Sequence, residues 1–422
     1  MKWSREMVID NRKLYYGILI LIFGPLFVRF FTENFNMSYA IMPFFDILCI
    51  ILIVIALIIN YKKVKLNFLF FIVVLSMICQ IVALYLNGHY SIYGISLSIR
   101  PFYRLIFTIF LGYLVLNQDE IKNIIKYTEW LLILNGVVMT YQYFVMGLSQ
   151  DIIGGTFGNT QGVNEIQNVL CCYVLTYEVL RFLNKKSSIN RMIFYTLLTI
   201  YISALAELTV FFVELVIIFI MAYLFDNNSI SILKKIGFIV LGFIVLLLGV
   251  KLYLIVFPNR AFLLSFDNVM NYLGSNVSAG NTGVYKISRI HPFLQLGNEF
   301  FYNNTLKWFG FGLGNCASNS NFYAFFAPQL HYDWMSSSMI FLENGYIGVI
   351  FFVVIVIYIF VKASVLKRNN QSDDDIIWIN YVRILSIINL ILFFYNDSLR
   401  GIYTSFIIGS ILSVVFLIAR KN

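Results

Sequence analysis

The sequence predicts an all-α, polytopic integral membrane protein with about twelve transmembrane helices. The 422-residue chain is 60% hydrophobic and only 12% charged, and its mean hydropathy is +0.81. Soluble domains carry about 25% charged residues, so this chain has too little polar surface to cover a water-soluble globule. Apolar runs of about 20 residues recur from end to end, which is the length that a helix needs to cross a bilayer.

The apolar runs show no alternation of apolar and polar residues, which argues against a transmembrane β-barrel. The first run follows a charged head without a small-residue cleavage site, so we expect it to be retained as a span. The seventh run is short and should form a tight hairpin with the eighth. The twelve expected spans are 14–32, 38–60, 66–86, 100–117, 126–146, 163–183, 192–206, 208–225, 236–257, 336–361, 376–395 and 402–419.

Positive charge is distributed unevenly between the spans. If both termini are cytoplasmic, the inner segments contain 20 of the 30 lysines and arginines, as the positive-inside rule requires. This topology explains the net charge of +9, and we therefore expect no nucleic-acid partner. Abundant Ile, Phe, Asn, Lys and Tyr indicates an AT-rich bacterial genome, so we expect a multi-pass protein of the bacterial cytoplasmic membrane. The inner segments are 1–13, 61–65, 118–126, 181–191, 226–235, 362–375 and 420–422.

Two outer loops stand out in a chain of otherwise short turns. One is the moderate loop 147–162, and the other is the large extracytoplasmic loop 258–335, both within a single membrane domain of residues 1–422. Ordered loops on rigid scaffolds commonly carry function. The five cysteines have neither a disulfide framework nor metal-like spacing, so we expect no metal and no cofactor. The acidic run at 373–375 precedes span eleven, and we interpret it as a helix cap.

Several arginines fall on the outer side, where the positive-inside rule disfavours them. Each arginine near membrane depth costs on the order of 2.5–3.5 kcal/mol, which suggests a compensating anion. That anion is either a ligand, a lipid headgroup or an internal carboxylate such as Glu33, Asp151, Asp267 or Asp397. The outer arginines are Arg29, Arg100, Arg104, Arg260, Arg289 and Arg400.

Arg100 and Arg104 are four residues apart and therefore share one helix face. Pro101 suits the first turn of that helix. Two guanidinium groups one turn apart can bind a diphosphate in a bidentate manner. The alternative is an interfacial anchor formed together with Tyr103.

Polar residues also recur at helical spacing inside the apolar spans. In span six they are Asn164, Gln167, Asn168 and Cys171, a stripe that should face the bundle interior. In span eight, Glu207 and Glu214 are two turns apart and are expected on one face. Each stripe either contributes to a substrate site or forms hydrogen bonds between helices.

The segment that enters span ten combines titratable groups with an apolar run. A helix starting near 333 would place Asp333, Ser336 or Ser337, Ile340 and Glu343 on one face, with Asp333 at the interface and Glu343 deeper. His331 and Asp333 are expected to be more solvent-exposed than Glu343 and therefore better placed to exchange a proton with a substrate. Glu343 itself either contacts substrate or bonds a neighbouring helix, since Gly345 and Gly348 permit close packing.

Three segments together resemble the superfamily of O-antigen and capsular polysaccharide polymerases (Wzy-type) and O-antigen ligases. The first, "GGTFGNTQGVNEIQNVL" at 154–170, is similar to the Gly/Asn-rich loop that enters a span in that family. The second, at 288–315, resembles the family's arginine, amphipathic helix and Gly-x-Gly turn, with Arg289 matching the arginine. The third, "HYDWMSSSMIFLENGYIG" at 331–348, resembles the segment that ends in Glu-x-Gly-x-x-Gly. At the turn between spans seven and eight, where the family often has an arginine, this chain has Glu207.

The resemblance implies a GT-C-like fold and a metal-independent glycosyltransferase. Its substrates would be oligosaccharide repeat units on undecaprenyl diphosphate at the outer leaflet, and a chain-length regulator would be a further partner. The implied catalytic residues are Arg289 with His331 or Asp333. The implied substrate-binding residues are Arg260, Arg100, Arg104, His291, Asn159, Asn164 and Glu343.

The main expectation is therefore a repeat-unit polymerase, in which a sugar hydroxyl attacks the anomeric carbon of the growing chain and the lipid diphosphate leaves. A ligase that transfers finished polymer to another acceptor uses the same chemistry. A flippase or exporter of lipid-linked sugars belongs to a different class. It would need a charged cavity with gating contacts on both sides, whereas the unusual polar residues here concentrate outside.

Overall fold

A computed structural model describes most of the chain. The described residues are 2–61, 68–88, 91–148, 152–160, 162–225, 287–316, 331–366 and 372–421, with scattered residues between 237 and 258. Arg260, Asp151, Asp267 and much of the large loop therefore lie outside the described residues. Every regular element in the described ranges is helical and no strand occurs among them, which confirms the all-α class for this part of the chain.

The described part of the chain contains fourteen α-helices. They are α1 (Lys2–Phe35), α2 (Met42–Asn60), α3 (Phe68–Asn87), α4 (Ile92–Val115), α5 (Gln118–Phe144), α6 (Asn164–Leu183), α7 (Ile189–Leu205), α8 (Thr209–Phe225), α9 (Pro292–Glu299), α10 (Asn304–Phe309), α11 (Ser336–Leu366), α12 (Asp373–Tyr395), α13 (Ser405–Leu412) and α14 (Val414–Lys421). Short 3₁₀ turns occupy Tyr39–Ile41, Gly155–Phe157 and Tyr332–Trp334.

Seven helices in the described residues are long and apolar enough to cross a membrane: α1, α2, α3, α4, α6, α11 and α12. Helices α7 and α8 are shorter apolar helices and form the expected hairpin. Predicted span five lies inside α5, whose first turns are charged, and predicted span twelve consists of α13 and α14 with only Ser413 between them. Predicted span nine falls on the sparsely described region. These helices support a membrane-embedded bundle.

Two helices form the centre of the bundle. In α6, 89% of the apolar window is buried inside the protein, and in α12 72%, against 28% in the peripheral α3. Helix α6 packs on α5, α7, α8 and α12, whereas α4 packs on α2 and α13. The predicted polar stripe on α6 does face the interior, because Gln167, Asn168 and Cys171 are buried.

The described connections lie at the two ends of the bundle. One end, called the loop end here, carries residues 152–160, 287–316, 331–335 and 396–404, which bond to the adjoining helices. The opposite end carries the turns between α4 and α5, between α6 and α7, and before α12. There Gln118 of α5 bonds Asp375 of α12 at 2.5 Å, and Lys421 of α14 bonds Gln118 at 2.6 Å.

The opposite end contains buried acids with internal partners. Arg191 of α7 bridges Glu129 of α5 at 2.7 Å and Glu178 of α6 at 2.9 Å, which ties three helices together. The interpretation of 373–375 as a helix cap is confirmed, because Ser372 is the N-cap and its hydroxyl accepts the Asp375 backbone N–H at 3.2 Å.

Helix α11 is interrupted one-third of the way along its length. Gly345 leaves the helical conformation (φ 62°, ψ −161°), which frees carbonyl groups of the preceding turn. Backbone N–H groups of the glycine-rich loop fill these positions: Phe311 donates to the Leu342 carbonyl at 2.8 Å, and Gly312 to the Glu343 carbonyl at 2.9 Å. Irregular backbone at membrane depth is tolerated where protein satisfies it in this way.

The same loop passes α4 at a distance that only glycine permits. A Cβ on Gly314 would lie 2.1 Å from the carbonyl carbon of Gly94, and Gly314 also has a positive φ of +85°. The predicted Gly-x-Gly turn is thus a tight backbone-on-backbone contact between the loop and the helix bundle.

We predict that Gly314→Ala destabilises the protein by about 3 kcal/mol or more, since backbone must move to remove the clash. Gly88→Ala is the matched control, because Gly88 also has a positive φ (+68°) but no described atom lies within 4 Å of its Cβ position. The control should lose only the left-handed penalty of about 1–2 kcal/mol. The measurement is the free energy of unfolding in mixed detergent micelles, and equal losses for the two variants would contradict the contact.

Candidate functional site

A buried ion pair lies between α2 and α4 near the loop end. Arg104 Nε donates to Asp46 Oδ1 at 2.6 Å, and Arg104 Nη2 donates to Asp46 Oδ2 at 2.9 Å, while the remaining nitrogen, Nη1, donates to the carbonyl of Arg400. Arg100 Nη1 lies 3.5 Å from the same carboxylate. The two arginines do share one helix face, and their anion in this structure is Asp46, an internal carboxylate.

Tyr103, the proposed interfacial companion of these arginines, instead points into the protein. Its side chain is fully buried, and its hydroxyl bonds Gln80 at 2.9 Å and Ser76 at 2.9 Å on α3. The interfacial anchor is therefore wrong for Tyr103. Arg100 is the more accessible arginine, with 22% of its side chain exposed against 7% for Arg104.

The loop between α12 and α13 continues this charged region. Arg400 Nη1 lies 3.3 Å from Asp397 Oδ1, and the Ser336 hydroxyl at the start of α11 donates to the same oxygen at 3.1 Å. The pairing of Arg400 with Asp397, one of the alternatives offered by the sequence, is thus confirmed. Asp397 keeps 27% of its side chain exposed, so solvent reaches it. Its surroundings raise the pKa of the carboxyl by desolvation, with Arg400 and the Ser336 hydroxyl acting in the opposite direction.

The Gly/Asn-rich loop forms a fixed turn between α1 and α5. Asn135 Oδ1 accepts the backbone N–H of Thr156 at 2.8 Å, and Gln142 Oε1 accepts that of Gly155 at 2.6 Å. A Cβ on Gly155 would lie 2.2 Å from Asn135 Oδ1, which explains the glycine. On the other side, Arg29 Nε of α1 donates to the Phe157 carbonyl at 3.0 Å.

Glu165 follows this turn and lies at the loop end of the bundle. Glu165 is the second residue of α6, and its Oε1 would lie 3.0 Å from a Cβ on Gly401. It interacts electrostatically with Asp397, Arg29 and Arg400. Arg400 thus interacts with both Glu165 and Asp397, and Arg29 interacts with Glu165. This largely buried group of two guanidinium groups and two carboxylates is called the charged crevice below.

Glu343 has a structural partner set. Its Oε1 accepts the Ser98 hydroxyl of α4 at 2.7 Å and the Gly314 backbone N–H at 2.9 Å, and the residue is buried. It joins α4, α11 and the glycine-rich loop, as the helix-bonding alternative proposed. Its expected helical neighbour Asp333 is not on α11, because that helix begins only at Ser336. The expectation of one helix face from 333 to 343 is therefore wrong.

The predicted catalytic residues lie in the loop-end segments 287–316 and 331–335 and are called the rim residues below. His331 has a left-handed backbone (φ 50°) and stacks on Trp334 with ring centroids 3.9 Å apart. Asp333 is exposed and interacts electrostatically with Asp397. Arg289 covers the Tyr395 ring at 4.4 Å and donates to its hydroxyl at 3.3 Å. Asp333 thus interacts electrostatically with one of the two central carboxylates, that of Asp397.

The remaining predicted binding residues are spread along the loop end. His291 is exposed at the start of α9, and its backbone N–H bonds the Ser288 hydroxyl at 3.1 Å. Asn159 is half-buried in the turn that Arg29 contacts, and Asn164 is the first residue of α6. Glu207 is not on the face of Glu214, because it lies in the tight turn before α8 with a left-handed φ of 58°.

Burial also shifts the titration of two groups in the loop that leads to this rim. Desolvation raises the pKa of the Cys316 thiol well above its ordinary value, and Glu343 acts in the same direction. Desolvation likewise raises the pKa of Tyr332, whose hydroxyl donates to the Cys316 carbonyl at 2.8 Å. Both side chains therefore stay neutral and fix the loop.

Sequence reasoning overlooked Asp46 and Glu165. Asp46 lies in an apolar run, where a carboxylate at membrane depth is itself a signal for a partner. Glu165 directly follows Asn164 of the predicted stripe but falls out of its register. An acidic residue in the first turn of a helix is ordinarily read as a favourable interaction with the helix dipole.

Together these residues define a helical membrane protein with a charged crevice at one end of its bundle. Comparisons of the chain with protein-family models, curated proteins and solved structures found no match. The crevice combines guanidinium groups, which stabilise developing negative charge, with carboxylates that can accept a proton.

We predict that Arg104→Gln lowers stability by about 3 kcal/mol, because it leaves the buried Asp46 carboxylate with only the longer contact to Arg100 at 3.5 Å. The double variant Asp46→Asn with Arg104→Gln should recover most of that loss, since no buried carboxylate remains and the partly exposed Arg100 is solvated. The measurement is thermal unfolding of the purified variants in detergent. A single variant with unchanged stability but reduced ligand binding would instead assign Arg104 to ligand.

Proposed function

We propose that this protein is a polysaccharide repeat-unit polymerase that acts on glycans linked to undecaprenyl diphosphate. The observation that carries the proposal is the crevice in which Arg29 and Arg400 flank Glu165 and Asp397. The resemblance of three sequence segments to polysaccharide polymerases and ligases is consistent with it, and each of these segments contributes to the loop end.

The reaction requires two kinds of group, and the crevice offers both. The hydroxyl of an incoming repeat unit attacks the anomeric carbon of the growing chain, which forms the new glycosidic bond. The bond between that carbon and the diphosphate oxygen breaks, and its electron pair leaves with the lipid diphosphate. The hydroxyl proton passes to a carboxylate, and the leaving group's charge is stabilised by arginine.

The proposed roles follow the positions of the side chains. Arg29 and Arg400, with the more peripheral Arg100 and Arg289, bind the diphosphate. Glu165, or Asp333 at the rim, accepts the proton. His331 lines the same rim and orients the acceptor sugar.

The proposal includes the orientation and full topology of the chain. Twelve spans of a GT-C-like bundle place both termini in the cytoplasm of a bacterium, and the loop end faces outward. Lipid-linked repeat units would then reach the crevice from the outer leaflet.

We predict that Glu165→Gln reduces polymer formation about 100-fold or more if Glu165 is the base, the effect typical of general-base removal. Arg400→Gln should give a similar loss by removing charge stabilisation. Arg420→Gln, at the exposed C-terminal end of α14, is the matched control and should retain activity. The measurement is polymer length in a strain that lacks the gene, with the membrane content of each variant determined in parallel.

The rim residues are tested in the same strain with Asp333→Asn, His331→Ala and Arg289→Ala. Normal polymer from Glu165→Gln combined with Asp333→Asn would remove both carboxylates from the mechanism. Normal polymer from His331→Ala combined with Arg289→Ala would remove the roles assigned to those two residues.

Deletion of the gene separates the polymerase from its rivals. A polymerase leaves single lipid-linked repeats, whereas a ligase leaves long lipid-linked chains. The purified protein should lengthen lipid-linked repeats in detergent, where no membrane has to be crossed. A protein that only translocates its substrate would give no lengthening.

A further inference from the structure

An apolar groove of about 920 Å³ runs between α1 and α5. Its volume is near the upper end of the range of about 300–1,000 Å³ for ligand pockets. The wall from α1 extends from Tyr16 to Phe30, and the wall from α5 includes Trp130 and Leu134. Apart from a few polar groups, aromatic and aliphatic side chains line it throughout.

One end of the groove reaches the turn that Arg29 contacts. The Gly155–Phe157 turn packs on both α1 and α5, and Thr156 and Phe157 line the groove at this end. The Phe157 carbonyl accepts a hydrogen bond from Arg29 Nε at 3.0 Å, and Arg29 also interacts electrostatically with Glu165. An amphiphile in the groove would therefore place its polar head beside a guanidinium.

The length of the groove indicates how long a hydrocarbon chain it can hold. From Tyr16 to Phe30 the helix rises about 21 Å, at about 1.5 Å per residue. One leaflet accounts for about half of the roughly 30 Å hydrocarbon core, so an ordinary acyl chain ends at the midplane. The groove is therefore longer than the hydrocarbon depth of one leaflet, and a hydrocarbon that fills it must be longer than an ordinary acyl chain.

We infer that this groove binds the polyprenyl tail of a lipid diphosphate, with the diphosphate at Arg29 and the tail running along α1 toward Tyr16. The inference rests on the proposed function and adds the route by which the lipid-linked substrate enters. The tail enters the groove from bilayer hydrocarbon and not from water, so its binding rests on packing against α1 and α5 and is independent of the sugars.

The test uses the purified full chain in nanodiscs, with undecaprenyl diphosphate carrying no sugar as the ligand. Leu134→Trp fills the groove, and we expect it to weaken binding about tenfold, because the tail loses its packing against α5. Val137→Trp is the matched control, because Val137 is exposed on the same helix but outside the groove. It should leave the dissociation constant within about twofold of the native value.

A second measurement uses the native protein and so does not depend on the folding of a variant. A photoreactive group at the tail end of undecaprenyl diphosphate should label peptides that contain Tyr16 or Ile20. A phosphatidylglycerol with the same group at its acyl end should not label them.

The outcomes separate the two proposals. Equal binding by Leu134→Trp and Val137→Trp, with labelling elsewhere, overturns the groove assignment while leaving the proposed function intact. Equal labelling by phosphatidylglycerol also overturns it, since the groove would then hold bilayer lipid. No binding of undecaprenyl diphosphate by the native protein overturns both.

Discussion

The ion pair between Arg104 and Asp46 is the constraint on which the loop end depends. A charge removed from water is tolerated only when its hydrogen-bonding capacity is satisfied. All three nitrogens of Arg104 are used in this way, two by Asp46 and one by the Arg400 carbonyl. The pair thereby fixes α2 and α4 against the loop between α12 and α13, and that loop positions both Asp397 and Arg400.

Backbone satisfaction is the second constraint, and it explains why glycines concentrate at this end. The break in α11 at Gly345 leaves carbonyls that need donors, and the glycine-rich loop supplies them from Phe311 and Gly312. Glu343 then binds the next turn of the loop at Gly314. A loop that approaches helices this closely has no room for Cβ atoms. Its glycines are therefore required for packing, whatever their role in function.

Much of the helical architecture could be predicted from sequence, because length and apolarity depend on local composition. The buried stripe on α6 and the shared face of Arg100 and Arg104 followed from helical spacing alone. The pairings could not be predicted in this way. Asp46 is 58 residues from Arg104, and Arg400 is 296 residues from it, so no local pattern connects them. Glu165 was missed for the same reason, because its neighbours Arg29 and Arg400 come from the two ends of the chain.

The long sequence separation of these partners has a consequence for biogenesis. Helices α1 and α4 enter the membrane while the ribosome has not yet made the groups that complete their polar contacts. The acceptor for Arg29, the Phe157 carbonyl, is synthesised 128 residues later. The acceptor for Arg104 Nη1, the carbonyl of residue 400, is synthesised near the end of the chain. Nascent chains must therefore hold these guanidinium groups near the aqueous interface or in the translocation machinery until synthesis is nearly finished, which makes a prematurely terminated chain a natural target for membrane quality-control proteases.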